Sequence, residues 1–440
     1  MKTVLFGLLG LVTLAWGLAP DPLSAATGGA RWWAIRQEAL YLSGLYSIAL
    51  MSLAMMLATR PAWLERPLGG MDRIYRLHKW SGILAVVFAA THWLVEMSDD
   101  VLKAVVGRAG RVRPEEYAGW LGTMRELAEE MGEFAIYVVL AMLALTLWKR
   151  FPYLVWRHLH RAMPVLYLVL AFHAALLAPP QYWMQPLGML LAMLLAGGAI
   201  ASVLSLAGLI GRGRTVQGTV VAVRQSAADV TELVCQLDQG WRGHRPGQFA
   251  FVSFSRLEGA HPFTIASADQ GERTVSFQIK ALGDYTRKLG QRIVPGQRVK
   301  VEGPYGRFEL SRCNPRARQI WIAGGIGITP FLAWLDSLQK DPAHAPSADL
   351  HYCTRDREHD PFVARLESLC AHLPGVRLHV HGKRQGEELT PEILAAGQEK
   401  TRRAEIWFCG PQGLARKLRD GLQRGWRGRL RFHQEAFEMR

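Results

Sequence analysis

Cysteine is scarce in this sequence and confined to one half of it. Only five cysteines occur among 440 residues, all between Cys235 and Cys409. They form no C-x-x-C pair and have no zinc-site spacing, so the sequence offers no thiolate metal centre. This pattern argues against a disulfide framework and indicates a reducing compartment for residues 212–440.

The sequence contains no dense basic tract, and long apolar runs are missing from residues 212–440. The formal net charge is +15, yet no Lys/Arg tract with interleaved aromatic residues occurs, so we expect no nucleic-acid partner. Basic loops beside membrane helices account for the same charge. Residues 212–440 lack long apolar runs and resemble soluble α/β sequence, whereas residues 1–211 contain several such runs.

Six segments in residues 1–211 are long enough, or nearly so, to span a bilayer. They are residues 1–19, 40–58, 71–97, 134–148, 153–177 and 183–210. The first is compatible with a cleaved signal peptide, because small residues follow at 24–26, and also with a retained helix. We favour the helix because a retained N-terminus fits the orientation that the charges of the loops predict.

The loops between these segments predict the orientation. Basic residues cluster after the second, fourth and sixth segments, whereas residues 98–133 are net acidic and residues 178–186 carry no charge. The positive-inside rule therefore puts both termini and residues 212–440 in the cytoplasm. The expected protein is a multi-pass protein of the inner (plasma) membrane.

Two apolar segments carry a histidine near each end. His78 and His92 are fourteen residues apart, which is about 21 Å along a helix and close to four turns, so they share a face. The 153–177 segment repeats the arrangement with His160 and His173. Intramembrane polar groups are costly and tend to be functional, although one histidine alone often only bonds a carbonyl. The whole pattern predicts two stacked haems ligated by these four histidines.

The second histidine pair has a geometric difficulty. His160 and His173 are thirteen residues apart, and on an ideal helix this spacing turns the side chains well apart. Pro164 lies between them and can kink or unwind the helix enough to re-aim them. His158 competes as the inner ligand, and we rank it below His160.

Residues 212–313 have the pattern of a small antiparallel barrel. Short alternating runs occur at residues 215–223, 231–237, 248–254, 274–280 and 298–302, with Gly and Pro between them. Within them, residues 261–267 read HPFTIAS, whose hydroxyl and aromatic side chains suit a flat aromatic ligand. The candidate contacts are His261, Pro262, Phe263, Thr264 and Ser267.

An anion site is predicted just after the fourth of these runs. Lys280 supplies a positive charge, Gly283 allows close backbone approach, and the segment from residue 284 reads as a helix start carrying Thr286. Backbone N–H groups at a helix start stabilise pyrophosphate.

The pattern changes to alternating strands and helices from residue 318, which predicts a parallel sheet with crossover helices. A buried strand, a Gly-rich turn and a helix follow one another there. This turn suits a dinucleotide phosphate, in a variant of the usual glycine pattern. The candidate residues are Gly324, Gly325, Gly327, Thr329 and Pro330.

A second loop lies at the carboxyl end of a later strand. Cys409, Gly410 and Pro411 are placed to contact a nicotinamide, although Cys409 alone could be only a small buried residue. Arg355 suits the 2′-phosphate of NADPH, whereas the neighbouring Asp356 favours NADH. The choice between the two nucleotides stays open.

These motifs together resemble known families. HPFTIAS, GDYT, GGIGITPF and FCGP resemble, in this order, the flavin, pyrophosphate, nicotinamide-dinucleotide and nicotinamide-contact motifs of the ferredoxin–NADP reductase superfamily. His261 stands where soluble members usually carry Arg. The membrane half resembles the ferric-reductase-like transmembrane domain. The combination, which covers most of the chain, resembles prokaryotic NADPH-oxidase-like proteins.

The resemblance implies a multi-domain protein. It consists of a six-helix transmembrane haem domain (1–211), an antiparallel β-barrel FAD domain (212–313) and an α/β NAD(P)H domain (314–440). The implied cofactors are FAD, two haem b and NADPH or NADH. The resemblance also implies an aromatic residue over the flavin, matched by Phe437, which with Cys409 makes the expected catalytic pair.

Two classes of function fit the sequence. The first is an NAD(P)H oxidase or ferric-reductase-type enzyme that passes electrons through FAD and the haems to dioxygen, a ferric chelate or a periplasmic redox partner. The second is a haem-binding electron-transfer or proton-conducting module with a degenerate reductase domain. The intact Gly-rich turn and HPFT motif favour the first. The acceptor and the oligomeric state stay open.

Overall fold

The computed structural model describes residues 2–19, 26–111, 117–148, 150–227, 229–255, 259–396, 403–426 and 428–435. The chain divides into two compact units, with the boundary between Ile210 and Gly211. The first unit is helical, and the second contains two β-sheets with their helices.

The helical unit contains these α-helices, in chain order: α1 (Lys2–Gly17), α2 (Gly29–Ala58), α3 (Ala62–Leu68), α4 (Met71–Met97), α5 (Asp99–Val106), α6 (Trp120–Leu147), α7 (Tyr153–His160), α8 (Met163–Leu177), α9 (Pro180–Trp183) and α10 (Pro186–Leu206). α2 packs against α10, α8 and α1, and α6 packs against α8. No comparable close backbone packing joins α4 to α6 or α8 within the described residues.

Among the described residues of this unit, five stretches are long and apolar enough to cross a membrane. They are Gly29–Ala58, Met71–Met97, Trp120–Leu147, Val155–Leu177 and Pro186–Leu206. The predicted six-span count is therefore corrected, because α1 has only 16 residues and falls short of the required length. α2 and α6 also begin well before the apolar segments predicted for them, since N-terminal stretches that contain charged residues continue the same helices.

α2 and α4 are joined by polar contacts that keep one antiparallel register. Arg36 donates to the Glu96 carboxylate at 3.1 Å, and the Ser47 hydroxyl donates to the Ala85 carbonyl at 3.0 Å. His78 and His92 of α4 also form hydrogen bonds with backbone carbonyls of α2. These contacts position α4 along α2 over its whole length.

The predicted break in the fifth segment is present. α7 ends at His160 and α8 begins at Met163, with Pro164 in the first turn of α8. Proline is tolerated there because the first-turn N–H groups have no helical partner. Since the two helices are separate, the thirteen-residue spacing does not dictate where the histidines point.

The second unit begins with the antiparallel sheet β4-β3-β6-β1-β2-β5. Its strands are β1 (Thr215–Ala227), β2 (Val230–Leu237), β3 (Phe249–Ser253), β4 (His261–Thr264), β5 (Thr274–Lys280) and β6 (Arg298–Tyr305). A closed barrel was expected. In the described residues the edge strands meet through a single bridge, Ile265 to Phe277, so the sheet is not closed. The helix α11 (Asp284–Arg292) follows β5.

A parallel sheet completes this unit, in the order β11-β10-β7-β8-β9. Its strands are β7 (Arg318–Gly324), β8 (Ala348–Thr354), β9 (Val376–Gly382), β10 (Arg403–Cys409) and β11 (Arg429–Glu435). The crossover helices are α12 (Thr329–Leu338), α13 (Val363–Ala371), α14 (Pro391–Ala395) and α15 (Gln412–Gly425). The parallel α/β fold was predicted, whereas the edge strand β11 was not.

An apolar core covers each face of the parallel sheet. Trp321, Trp334 and Trp407 are fully buried on one face and pack edge to face. The Trp334 indole N–H donates to the Pro246 and Phe308 carbonyls, which belong to the antiparallel part of the unit. These hydrogen bonds join the parallel and antiparallel parts of the unit. The predicted boundary at residues 313/314 stays a prediction.

Candidate functional site

The four predicted haem ligands form two facing pairs. The ring centroids of His78 and His160 lie 6.1 Å apart, and those of His92 and His173 lie 6.3 Å apart. α4 contributes one ring to each pair. His160 also packs against the Trp156 ring, at 4.9 Å between centroids.

Backbone carbonyl groups fix the tautomer of three of these rings. The Nδ1 atoms of His78, His92 and His173 lie 2.8–2.9 Å from the carbonyl oxygens of Ala54, Leu40 and Ala128. A carbonyl only accepts, so each Nδ1 carries the proton and donates it. The Nε2 lone pair of each ring is then available to a metal ion. The Nδ1 of His160 has no partner among the described residues.

Glycines make room for the His92 and His173 rings. A Cβ on Gly44 would lie 3.1 Å from the His92 Nδ1, and a Cβ on Gly132 would collide with the His173 Nδ1. Each glycine is one turn beyond the carbonyl that binds the ring. Both rings are therefore held by a neighbouring helix as well as by their own.

The two pairs fit bis-histidine ligation of haem iron. Metal–imidazole bonds of about 2 Å put each ring centroid roughly 3 Å from the metal, so two opposed rings are about 6 Å apart. The observed separations of 6.1 and 6.3 Å match this requirement at both levels.

The segment predicted to contact a flat aromatic ligand forms the edge strand β4. Pro262 is tolerated there because an edge strand has unpaired N–H positions. The His261 ring stacks on Tyr285 of α11, with centroids 4.0 Å apart and planes 13° apart. Thr264 is buried, and the Ser267 hydroxyl accepts from the Ser276 N–H. His261 and Tyr285 thus bring the two predicted flavin motifs together.

The predicted anion turn has an ordered backbone. The Thr286 hydroxyl accepts from the N–H groups of Leu282 and Gly283, both at 3.0 Å. Gly283 immediately precedes α11, and the space where a Cβ would lie is open. A phosphate can approach the helix start there. Lys280 pairs with Asp229 at 3.2 Å, which keeps its charge close to the turn.

The two glycine-containing loops of the parallel sheet pack directly on one another. A Cβ on Gly324 would lie 2.6 Å from the Pro411 ring, and a Cβ on Gly327 would collide with the Cys409 carbonyl. Gly410 packs against Gly324 in the same way. Gly325 has the left-handed φ of +54° and open space beside it. The predicted dinucleotide turn and nicotinamide loop therefore share one carboxyl edge.

The residues that follow Gly327 stabilise this turn. The Thr329 hydroxyl donates to the Ile326 carbonyl at 2.7 Å, and Thr329 and Pro330 are buried. Their geometry fits a role in holding the turn, in which Gly325 is the glycine with open space beside it.

Cys409 has a neighbour that the sequence did not indicate. β11 runs parallel to β10, with Glu435 in register beside Cys409. Both side chains are buried, and burial together with the Glu435 charge raises the pKa of the Cys409 thiol. A Cβ on Gly306 would lie 3.1 Å from the Glu435 carboxylate. Phe437 lies outside the described residues.

The carboxyl end of β8 carries the residues relevant to nucleotide choice. Arg355 is exposed there. Asp356 accepts from Arg384 at 2.8 Å and from Gln385 at 3.2 Å. The Gln385 and Arg384 hydrogen bonds lower the pKa of Asp356 to about 2, so it is ionised at neutral pH. The Arg384 guanidinium is thus already paired with the Asp356 carboxylate.

Sequence reasoning missed Tyr285, Glu435, Gly44 and Gly132. Tyr285 lies inside the GDYT motif, so it could have been found. Gly44 lies in an apolar run and Gly132 in a glutamate-rich stretch, and neither has neighbours that distinguish it in the sequence. Glu435 becomes relevant only when β11 is placed beside β10.

Two protein families match separate parts of this chain. Residues 43–171 match the "Ferric reductase like transmembrane component", and residues 215–309 match an "FAD-binding domain". The first match includes all of His78, His92 and His160. The predicted resemblance to ferric-reductase-like proteins is confirmed.

Curated relatives match part of the chain. The carnitine monooxygenase reductase subunit of Escherichia coli (strain K12) is 33% identical over 140 residues, which are 32% of this chain and 40% of that protein. The vanillate O-demethylase oxidoreductase of Pseudomonas putida is 31% identical over 157 residues, covering 34% and 45%. The chain therefore spans less than half the length of either relative.

One solved structure matches nearly the whole chain in fold. Flavohemoglobin from Malassezia yamatoensis, with bound FAD and heme, has a TM-score of 0.50 at 14% identity and covers 93% of this chain and 99% of that one. At this identity the likeness concerns the fold alone. The two family matches, taken by themselves, support a membrane oxidoreductase with an FAD-binding domain.

Proposed function

We propose that this chain, a ferric-reductase-like membrane oxidoreductase, passes electrons from cytoplasmic NAD(P)H through FAD and two bis-histidine b-type haems to an acceptor on the outer side. The observation that carries the proposal is the matched separation of the two imidazole pairs, 6.1 and 6.3 Å. In three rings, Nδ1 bonding to a backbone carbonyl leaves Nε2 free for iron.

The reductase half supplies binding and orientation. The glycine turn at Gly324–Gly327 and the loop at Cys409 are packed together, so a dinucleotide held by one presents its nicotinamide beside the other. The His261–Tyr285 stack and the α11 start would hold the flavin and its pyrophosphate. Cys409 stays a neutral thiol because its pKa is raised, and it fills the space under the nicotinamide.

The membrane half would hold two haems, with His78 and His160 as one ligand pair and His92 and His173 as the other. A hydride carries two electrons and a haem accepts one, and FAD connects the two chemistries. Each imidazole pair would supply two ligands to one haem iron, and an iron without an open position favours electron transfer over binding of a further ligand. The carbonyl contacts keep the His78, His92 and His173 rings from rotating away.

The direction follows from the charges of the loops. The positive-inside rule supports a cytoplasmic reductase domain, which puts the His78 level nearer the flavin and the His92 level nearer the outside. The acceptor is then dioxygen, giving superoxide, or a ferric chelate or a periplasmic redox protein. The proposed location is the inner (plasma) membrane.

Steady-state kinetics of the purified full chain tests the donor and acceptor together. NADPH and NADH oxidation are measured with and without FAD, a ferric chelate and superoxide dismutase. The proposal expects FAD-dependent oxidation of at least one nucleotide, together with reduction of one of these acceptors. Haem-containing protein without FAD-dependent turnover would contradict it.

A further inference from the structure

A pocket of about 760 Å³ lies at the amino edge of the parallel sheet. β7, β8 and β9 all begin at its wall, whereas the dinucleotide turn follows the other end of β7. A seven-residue strand such as β7 spans roughly 23 Å. The pocket is therefore separate from the proposed nucleotide site. Its charged and imidazole lining residues are Arg316, Arg318, Asp349, His351, Arg377 and His379.

The pocket has an excess of positive charge. Asp349 is its one lining carboxylate, and it accepts from Arg318 at 3.1 Å and from Arg377 at 2.9 Å. Burial tends to raise the pKa of Asp349, but the Arg318 and His379 hydrogen bonds outweigh it and hold the pKa below its usual range. With Arg316 included, three guanidinium groups face one carboxylate.

Two of these guanidinium groups are available to a ligand. The Arg377 side chain is 70% exposed and contacts Asp349 through Nε, which leaves its terminal nitrogens free for another acceptor. Arg316 is exposed, and its guanidinium has no partner among the described residues. Guanidinium groups bind phosphate oxygens in a paired geometry that few other side chains provide.

A buried imidazole nitrogen supplies an independent sign of a ligand. His351 is only 4% exposed and lines the pocket, and in the part of the chain that the structure describes its Nε2 has no hydrogen-bond partner. Its Nδ1 lies 3.0 Å from the His381 Nε2. The His351 and His379 rings stack with centroids 4.7 Å apart. A buried polar atom without a partner is uncommon in folded proteins and calls for one.

His351 is neutral at physiological pH. Burial lowers its pKa to about 3, and the neighbouring His379 and His381 add to the effect. The positive charge of the pocket therefore comes from its arginines. The imidazole contributes one directional hydrogen bond.

We propose that this pocket binds the phosphate group of a small phosphate monoester. Arg316 and Arg377 contact the phosphate oxygens, and the His351 Nε2 hydrogen-bonds to the same ligand. The volume is within the range of pockets that hold metabolite-sized molecules. This proposal does not depend on the electron-transfer route.

Calorimetric titration of the FAD-loaded full chain with glycerol 3-phosphate tests the proposal. Saturating NAD⁺, which carries no phosphate monoester, is present so that it occupies the nucleotide site without competing for the pocket. We expect saturable binding that glycerol does not reproduce. Arg316→Gln and Arg377→Gln should each weaken it about tenfold, because each removes a charge-assisted contact.

Arg365→Gln is the matched control, because Arg365 carries the same charge on α13 and is not among the pocket-lining residues. It should leave the affinity unchanged. Unaltered thermal unfolding midpoints in the absence of phosphate would show that all variants fold. Absence of saturable binding, or equal binding by the Arg316→Gln/Arg377→Gln double variant, would overturn the proposal.

Discussion

The imidazole rings of His92 and His173 face each other with their centroids 6.3 Å apart, and each donates its Nδ1 proton to a carbonyl of a neighbouring helix. The His78–His160 pair repeats the spacing at 6.1 Å. α4 and α7–α8 thus bring together two imidazole pairs of similar spacing.

Gly132→Ala should disturb the His173 ring, because the new methyl group would collide with its Nδ1. Gly44→Ala should have a smaller effect, since its Cβ would lie 3.1 Å from the His92 ring. We expect Gly132→Ala protein to lose the outer haem while retaining the inner one. The haem-to-protein ratio from the absorption spectrum measures this loss. Gly82→Ala, with open space around the new Cβ, is the control.

His160→Ala should remove the inner haem, because His160 is the ring that faces His78. His158→Ala changes the same residue type two positions earlier and should leave both haems bound. The absorption spectra of the two purified variants give the comparison. Loss of haem from His158→Ala with full retention in His160→Ala would show that the inner ligand is assigned wrongly.

Asp356→Asn should shift nucleotide preference toward NADPH. The substitution removes the negative charge of Asp356, which repels a 2′-phosphate. It also weakens the 2.8 Å ion pair between Asp356 and Arg384, so that the Arg384 guanidinium becomes available to the phosphate. We expect the ratio of kcat/KM for NADPH over NADH to rise roughly tenfold. Since the Asp356 pKa is about 2, the effect should not vary between pH 6 and pH 8. Glu388→Gln, beside Lys383 and Lys417, is the matched control.

Cys409→Ala should slow flavin reduction by NAD(P)H, because it leaves a space where the nicotinamide is proposed to lie. We expect a roughly tenfold lower rate of flavin bleaching in stopped flow, with a smaller change in nucleotide KM. Cys370→Ala, on α13, is the control and should react at the original rate. An unchanged rate in Cys409→Ala would remove Cys409 from the nicotinamide site.

Local patterns predicted the membrane helices and most strands well. α4 has the bounds read from its apolar run, and the break between His160 and Met163 occurs beside Pro164 as expected. These features depend on hydropathy and on proline, which act within a few residues. The predicted length of α1 and the predicted starts of α2 and α6 were wrong. Apolar composition alone does not mark where a helix begins or ends.

Long-range contacts account for what the sequence did not reveal. The Leu40 carbonyl meets His92 only because α2 and α4 keep one antiparallel register. Glu435 meets Cys409 only because β11 adds to the edge of the parallel sheet. The antiparallel sheet stays open because β4 and β5 share one bridge and no ladder. No local pattern encodes these pairings.

Anaerobic reduction of the haems by NAD(P)H tests the central claim most directly. The full chain, loaded with haem and FAD, is mixed with NADPH or NADH without oxygen, and the haem absorption bands are followed. The account predicts FAD-dependent reduction of both haems, and of the His78–His160 haem alone in His92→Ala. Haems that dithionite reduces but that stay oxidised with either nucleotide and FAD would contradict it.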